Sequence, residues 1–156
     1  MTTDTMLSVA QCYCSFIAIN PITNLKEYNM LEHAPLVWAE ISVTDMNRAV
    51  AFYETHFAVT FKQEVMNDME MSIAETANEG DPSFALLKHD MMVPSRDGST
   101  VYLHLSLTLN DKVNEIKAAG VEILLPPMPI KDGECGYIAI FVDSEGNKVG
   151  LWSQSL

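Results

Sequence analysis

"VWAEISVTDMNRAVAFYETHF", residues 37–57, passes from strand alternation into helical spacing without a break. Val37, Ala39, Ile41 and Val43 alternate with Trp38, Glu40, Ser42 and Thr44, the period-two pattern of a strand with one apolar face. Asp45 suits a helix N-cap, since its carboxylate can accept from amides two or three residues on. Met46, Ala49, Val50, Tyr53 and Phe57 then fall at i, i+3, i+4, i+7 and i+11, which predicts one apolar helical face. Three strand candidates follow, "VTFKQEV", "MEMSIA" and "SFALLKH", divided by "MND" and "NEGDP". The stretch therefore opens a βαβββ unit over about residues 36–92.

The same order returns. "TVYLHLSLT" sets Val101, Leu103, Leu105 and Leu107 against Tyr102, His104, Ser106 and Thr108. A helix is expected from about Asn110, with Leu109, Val113 and Ile116 on one face and Gly120 at its end. "VEILLPP", "GYIAIFV" and "KVGLWS" supply three more strands, the last two joined by the turn "DSEGN". Trp38-Ala-Glu40-Ile-Ser42-Val-Thr44 matches Tyr102-Leu-His104-Leu-Ser106-Leu-Thr108, apolar on apolar and polar on polar. A second unit over about 100–154 repeats the first. "PSRDGS", 94–99, is the linker between them, and "PPMPI", 126–130, belongs on a sheet edge, where missing amide donors do no harm.

The rest of the composition narrows the classes. A chain of 156 residues fits one domain with a real core, and a formal net charge of −12 repels phosphate backbones and anionic membranes. No nucleic acid or membrane partner is expected. No apolar run approaches the roughly 20 residues needed to span a bilayer. Residues 1–15 hold no Lys or Arg, so a cleavable signal is not supported, and a reducing cytoplasm suits the odd set Cys12, Cys14 and Cys135. Cys12 and Cys14 read as buried thiols rather than half of a metal site, because one intervening residue is fewer than the usual two to four. Residues 1–34 form an appendage to a 35–156 domain: an apolar stretch over 7–19, the turn "NPITNL", then "KEYNMLEHAP" stopped by Pro35. That stretch and the outer sheet edges call for covering, which predicts a homodimer.

In each first strand one face is apolar and belongs under the helix, while the other carries Trp, Glu and Ser, or Tyr, His and Ser. Two such sheets curving about a pseudo-twofold make an α+β fold with a cup between the polar faces. Residues on the first and last strands should line it: Trp38, Glu40, Phe84, Leu86, Lys88, Tyr102, His104, Gly150 and Trp152. Aromatic walls and the missing side chain at Gly150 suit a small-molecule ligand, or equally a filled core. Met66, Met69, Met71, Met91 and Met92 flank the outer strands of the first unit, as a lid over the cup or as packing surface.

"VWAEISVTDMNRAVAFYETHFAVTF" and "IAIFVDSEGNKVGLWS" resemble the strand, Asp-capped helix and "FYxxxFG" signature, and the terminal "DPEGN" hairpin, of the vicinal oxygen chelate superfamily. That superfamily holds glyoxalase I, bleomycin-resistance proteins, extradiol dioxygenases and fosfomycin-resistance enzymes. The resemblance covers roughly 36–154, with Ala58 where Gly is common. It implies four metal-ligand positions, which fall on Trp38, Leu86, Tyr102 and Gly150. None is a His or a carboxylate, so no metal and no cofactor is expected. The resemblance implies a binding protein with an aromatic cup and no metal, as in bleomycin sequestration. The alternative is a lyase, isomerase or dioxygenase-type enzyme using Glu40 and His104 as acid and base, or as ligands of a displaced metal. A third reading makes the cup a plugged structural module, with Glu40 held by Lys88 or His104 in an internal polar network.

Overall fold

The computed structural model describes residues 36–66, 68–78 and 80–156. The appendage, with Cys12 and Cys14, lies outside them. The first unit runs β1 (Trp38–Ser42), α1 (Met46–Phe57), β2 (Phe61–Met66), β3 (Met69–Ala74) and β4 (Ser83–Lys88). The second runs β5 (Val101–Leu105), α2 (Leu109–Ala118), β6 (Ile123–Pro129), β7 (Tyr137–Val142) and β8 (Lys148–Ser153). Each unit makes its own four-stranded mixed sheet, in the orders β1-β4-β3-β2 and β5-β8-β7-β6. In both, the first strand lies parallel to the last and the remaining pairs are antiparallel. Two βαβββ modules are thus present, and their sheets are not joined.

Local chemistry sets the helix ends. The Asp45 carboxylate accepts the Arg48 amide at 3.0 Å and caps α1. The helix stops at Ala58, whose φ of 51° is the left-handed conformation a glycine would take at no steric cost. In the second sheet Pro126, Pro127 and Pro129 sit on the edge strand β6, and its pairing with β7 shifts register twice.

Register fixes the faces. Ala39 and Ile41 stand opposite Phe84 and Leu86 on the side covered by α1, as Val101 and Leu103 stand opposite Val149 and Leu151 on the side covered by α2. These two helix-bearing faces share a single core. Its centre is α1: the fully buried Tyr53 ring packs on Phe84 at 5.7 Å, while Phe52 and Phe57 stack on Phe141 of β7 at 6.1 and 5.5 Å. With α1 between β4 and β7, the inner faces turn towards each other and the outer faces look away. The outer face of the first sheet has its own apolar cluster, Met69, Met71, Ile73, Ala85 and Leu87.

The turn between β7 and β8 locks the units together. The fully buried Glu145 carboxylate accepts from the Thr44 amide (2.9 Å), the Thr44 hydroxyl (2.8 Å), the Asp45 amide (3.0 Å) and the Arg48 guanidinium (2.7 and 2.9 Å). It sits where the free amides and dipole of a helix N-terminus favour an anion. Burial would raise its pKa, but the bonds from Arg48, Thr44 and Asp45 outweigh it and hold the carboxyl at about 2. Two residues back, Asp143 accepts the Tyr53 hydroxyl at 3.0 Å, and burial and that carboxylate push the phenol well above its ordinary pKa. Two residues on, the Asn147 amide donates to the Ser42 carbonyl at 2.8 Å.

Beyond the other end of β1 the contact is open. A cleft of about 360 Å³ lies along the edge of β5, walled by Leu36, Ala39, Phe57 and Phe84 from one unit and by Tyr102, Leu103, His104 and Leu105 from the other. The loop between β3 and β4 borders it. Asn78 bonds Asp81 at 3.0 Å and Thr76 bonds the Asn78 carbonyl at 2.9 Å. Among the described residues, no hydrogen bond of this loop reaches the second unit.

Candidate functional site

The polar side chains of the first strands come out on the outer faces. In β1, Trp38 and Glu40 point away from the core, and the Trp38 indole N–H donates to the Glu40 carboxylate at 3.3 Å. In β5, Tyr102 and His104 share the outer face with their partners on β8, Gly150 and Trp152. The His104 ring lies 5.2 Å from the Trp152 ring, and the Trp152 indole N–H is anchored on the Cys135 carbonyl at 2.9 Å. Glu40 and His104 are both exposed, at matching steps of the two strands. No hydrogen bond or ion pair joins them among the described residues.

Three of the expected lining residues are elsewhere. Phe84 and Leu86 stand on the inner face with Ala39 and Ile41, and Leu86 is fully buried in the core. Lys88 alternates onto that same side and pairs with Glu70 at 2.7 Å, so it does not hold Glu40. The residue opposite Trp38 is Ser83, just as Gly150 is opposite Tyr102. An offset of three residues, from Leu86 to Ser83, exchanges the faces of a strand.

The four positions onto which metal ligands carry over are therefore Trp38, Ser83, Tyr102 and Gly150. An indole, a hydroxyl, a phenol and a hydrogen atom do not fit a divalent ion, which needs three or four nitrogen, thiolate or carboxylate donors. The space is also taken. A Cβ on Gly150 would meet the Tyr102 ring at 2.3 Å, so that ring lies flat on the glycine where a ligating side chain would rise. Among the described residues, no three His, Cys, Asp or Glu side chains gather as a ligand set. The outer face of the first sheet offers the Trp38 indole and the Glu40 carboxylate, and that of the second offers the Tyr102 and Trp152 rings and the His104 imidazole.

Known structures share the architecture. A fosfomycin resistance protein, FosX, from Listeria monocytogenes is 21% identical over 80% of this chain and 96% of its own, with a TM-score of 0.57. The trypanothione-dependent glyoxalase I of Leishmania major is 13% identical over 78% and 88%, at 0.59. A glyoxalase I variant from Zea mays is 23% identical over 77% of this chain and 46% of that one, at 0.58. No curated protein matches. At these identities the likeness is one of fold. No helix among the described residues is long and apolar enough to cross a membrane. The family model of the glyoxalase/bleomycin resistance protein/dioxygenase superfamily matches residues 35–151, three quarters of the sequence, and the chain belongs to that superfamily.

Proposed function

We propose that this protein binds a small molecule against the aromatic outer faces of its sheets, without the superfamily's usual metal. The carrying observation is the Tyr102 ring lying on Gly150, which puts aromatic surface where the resemblance expects metal ligands. Within one chain the two outer faces point apart, so each is half a cup. A second copy supplies the other half, the Tyr102, His104 and Trp152 face of one chain meeting the Trp38 and Glu40 face of its partner. A twofold axis then makes two equal cups and closes the assembly. The exposed Trp38 and Met66 side chains of the first sheet support this reading, because exposed apolar surface of that kind suits a partner.

An enzyme is the second reading, and one observation favours it: Glu40 and His104 are exposed at equivalent steps, and such a dimer would bring them to one cup. An imidazole facing a carboxylate can pass a proton to and from a bound ligand.

Native mass spectrometry of gently purified protein, with plasma-emission metal analysis after exposure to Zn²⁺, Mn²⁺, Fe²⁺ and Ni²⁺ and desalting, tests both. The expected result is a dimer carrying an organic adduct and no stoichiometric metal. A monomer at micromolar concentration overturns the shared cup. One metal per chain, lost in His104→Ala, replaces the binding reading with an enzyme whose metal has moved. If Glu40→Gln abolishes ligand turnover while stability is kept, the acid–base form of the enzyme reading stands.

A further inference from the structure

We propose that the cleft along β5 is a binding site for an amine or guanidinium group carried on a small apolar or aromatic body. The proposal goes beyond the outer faces and stands whether or not they bind a ligand.

The polar end of the cleft offers acceptors. Glu75, Thr76 and Ser83 all line it. The sheet register brings them together: Ile73 lies opposite Ala85 in an antiparallel pair, so Glu75, two residues on, comes beside Ser83, two residues back. The Ser83 hydroxyl donates its proton to the Ala74 carbonyl at 2.6 Å, and the Thr76 hydroxyl donates its own to the Asn78 carbonyl at 2.9 Å. A hydroxyl has one proton to give, so both oxygens have only lone pairs left to offer. The Glu75 carboxylate is exposed, and among the described residues no hydrogen bond or ion pair engages it. Lys62 feels its charge but is bonded to Glu64 at 2.7 Å. Three acceptors, one of them charged, call for a cationic group with several N–H donors.

The remaining walls define the body that carries this group. Ala39, Phe84, Leu103 and Leu105 come from the helix-bearing faces, and Phe57 from the end of α1. Such walls suit an apolar body, and the two phenyl rings add faces that attract a cation. A cavity of about 150 Å³ holds benzene. The cleft of about 360 Å³ therefore has room for a ring with a short chain. Tyr102 and His104 complete the lining on β5, and no Lys or Arg belongs to it. An anionic ligand would meet Glu75 with no permanent positive charge to offset it.

The test is a titration of isotope-labelled full-length protein at neutral pH with phenethylamine, phenethyl alcohol and phenylacetate, read by backbone amide shifts. The amine should bind about fivefold more tightly than the alcohol, the scale of one contact to an exposed carboxylate, and phenylacetate should not bind. The amides that move should be those of Thr76, Phe84, Leu103 and Leu105. Glu75→Gln should bring the amine down to the affinity of the alcohol and leave the alcohol unchanged. Asp90→Asn, which removes the same charge beyond the far end of β4, should alter neither. Equal affinities for amine and alcohol overturn the proposal, as does an equal loss in both variants, which would mark a response to net charge alone. Shifts confined to outer-face residues such as Ile138 and Ile140, or no amine binding at millimolar concentration, overturn it as well while leaving the outer-face reading in place.

Discussion

The two ends of the contact between the units begin from equivalent residues and finish differently. Seven, five and three positions before Gly150 stand Asp143, Glu145 and Asn147; at the same distances before Ser83 stand Thr76, Asn78 and Gly80. The receiving helices differ in parallel. Thr44, Asp45 and Arg48 correspond to Thr108, Leu109 and Lys112, and only the first set meets a carboxylate of the opposite unit. Lys112 turns instead to the His56 carbonyl (2.5 Å) and to Glu115 (2.7 Å). One buried carboxylate separates a closed joint from a cleft. Strand order and direction are the same in both units, so the difference lies in three turn residues and the donors they meet.

That contrast can be broken most strongly at Glu145. Glu145→Ala leaves the Arg48 guanidinium, the Thr44 hydroxyl and two amides without their acceptor, and should lower stability by about 3–4 kcal/mol in urea unfolding. Protonation does nearly the same reversibly. The folded Glu145 carboxyl is held at about 2 against an ordinary 4.5, so its contribution is complete above pH 4.5 and is lost as pH falls towards 2. The loss amounts to about 3 kcal/mol at 1.36 kcal/mol per unit. Stability measured from pH 5 to 2 should fall by that amount in wild type, and the slope should be largely absent in Glu145→Gln. Tyr53→Phe removes the buried bond to Asp143 and should cost about 1–2 kcal/mol by the same unfolding assay. At the open end, Asn78→Ala breaks only an exposed bond within its own loop and should change stability by less than about 0.5 kcal/mol. An effect at Asn78 as large as at Glu145 would remove the asymmetry.

Much of the fold could be read from the chain, because local chemistry and tertiary structure agree there. The Asp45 cap, the apolar helical face from Met46 to Phe57, the alternation of β1 and β5 and the proline-bearing edge strand β6 each have a short-range cause. The face of β4 does not. Phe84, Ala85, Leu86 and Leu87 are all buried, so the strand reads as a continuous apolar run whose alternation cannot say which side is which. The register sets Phe84 and Leu86 opposite Ala39 and Ile41, and Ser83 opposite Trp38, an arrangement that such a run does not signal. The joint at Glu145 was legible as a turn and not as a lock, since its partners lie about 100 positions earlier. The outer-face placement of Trp38, Glu40, Tyr102 and His104 follows from β1 and β5, where alternation is clean.

The Tyr102 ring on Gly150 also constrains how this protein could change. Introducing a carboxylate at 150 first drives its Cβ into the ring, so the step is penalised before any benefit of a new donor exists. Trimming Tyr102 first opens a hole over a bare glycine and offers nothing in return. The two positions can move only together or through a damaged intermediate, and Trp38 and Ser83 would still have to follow. At this pair of positions, then, the order in which residues are exchanged matters as much as which residues are exchanged.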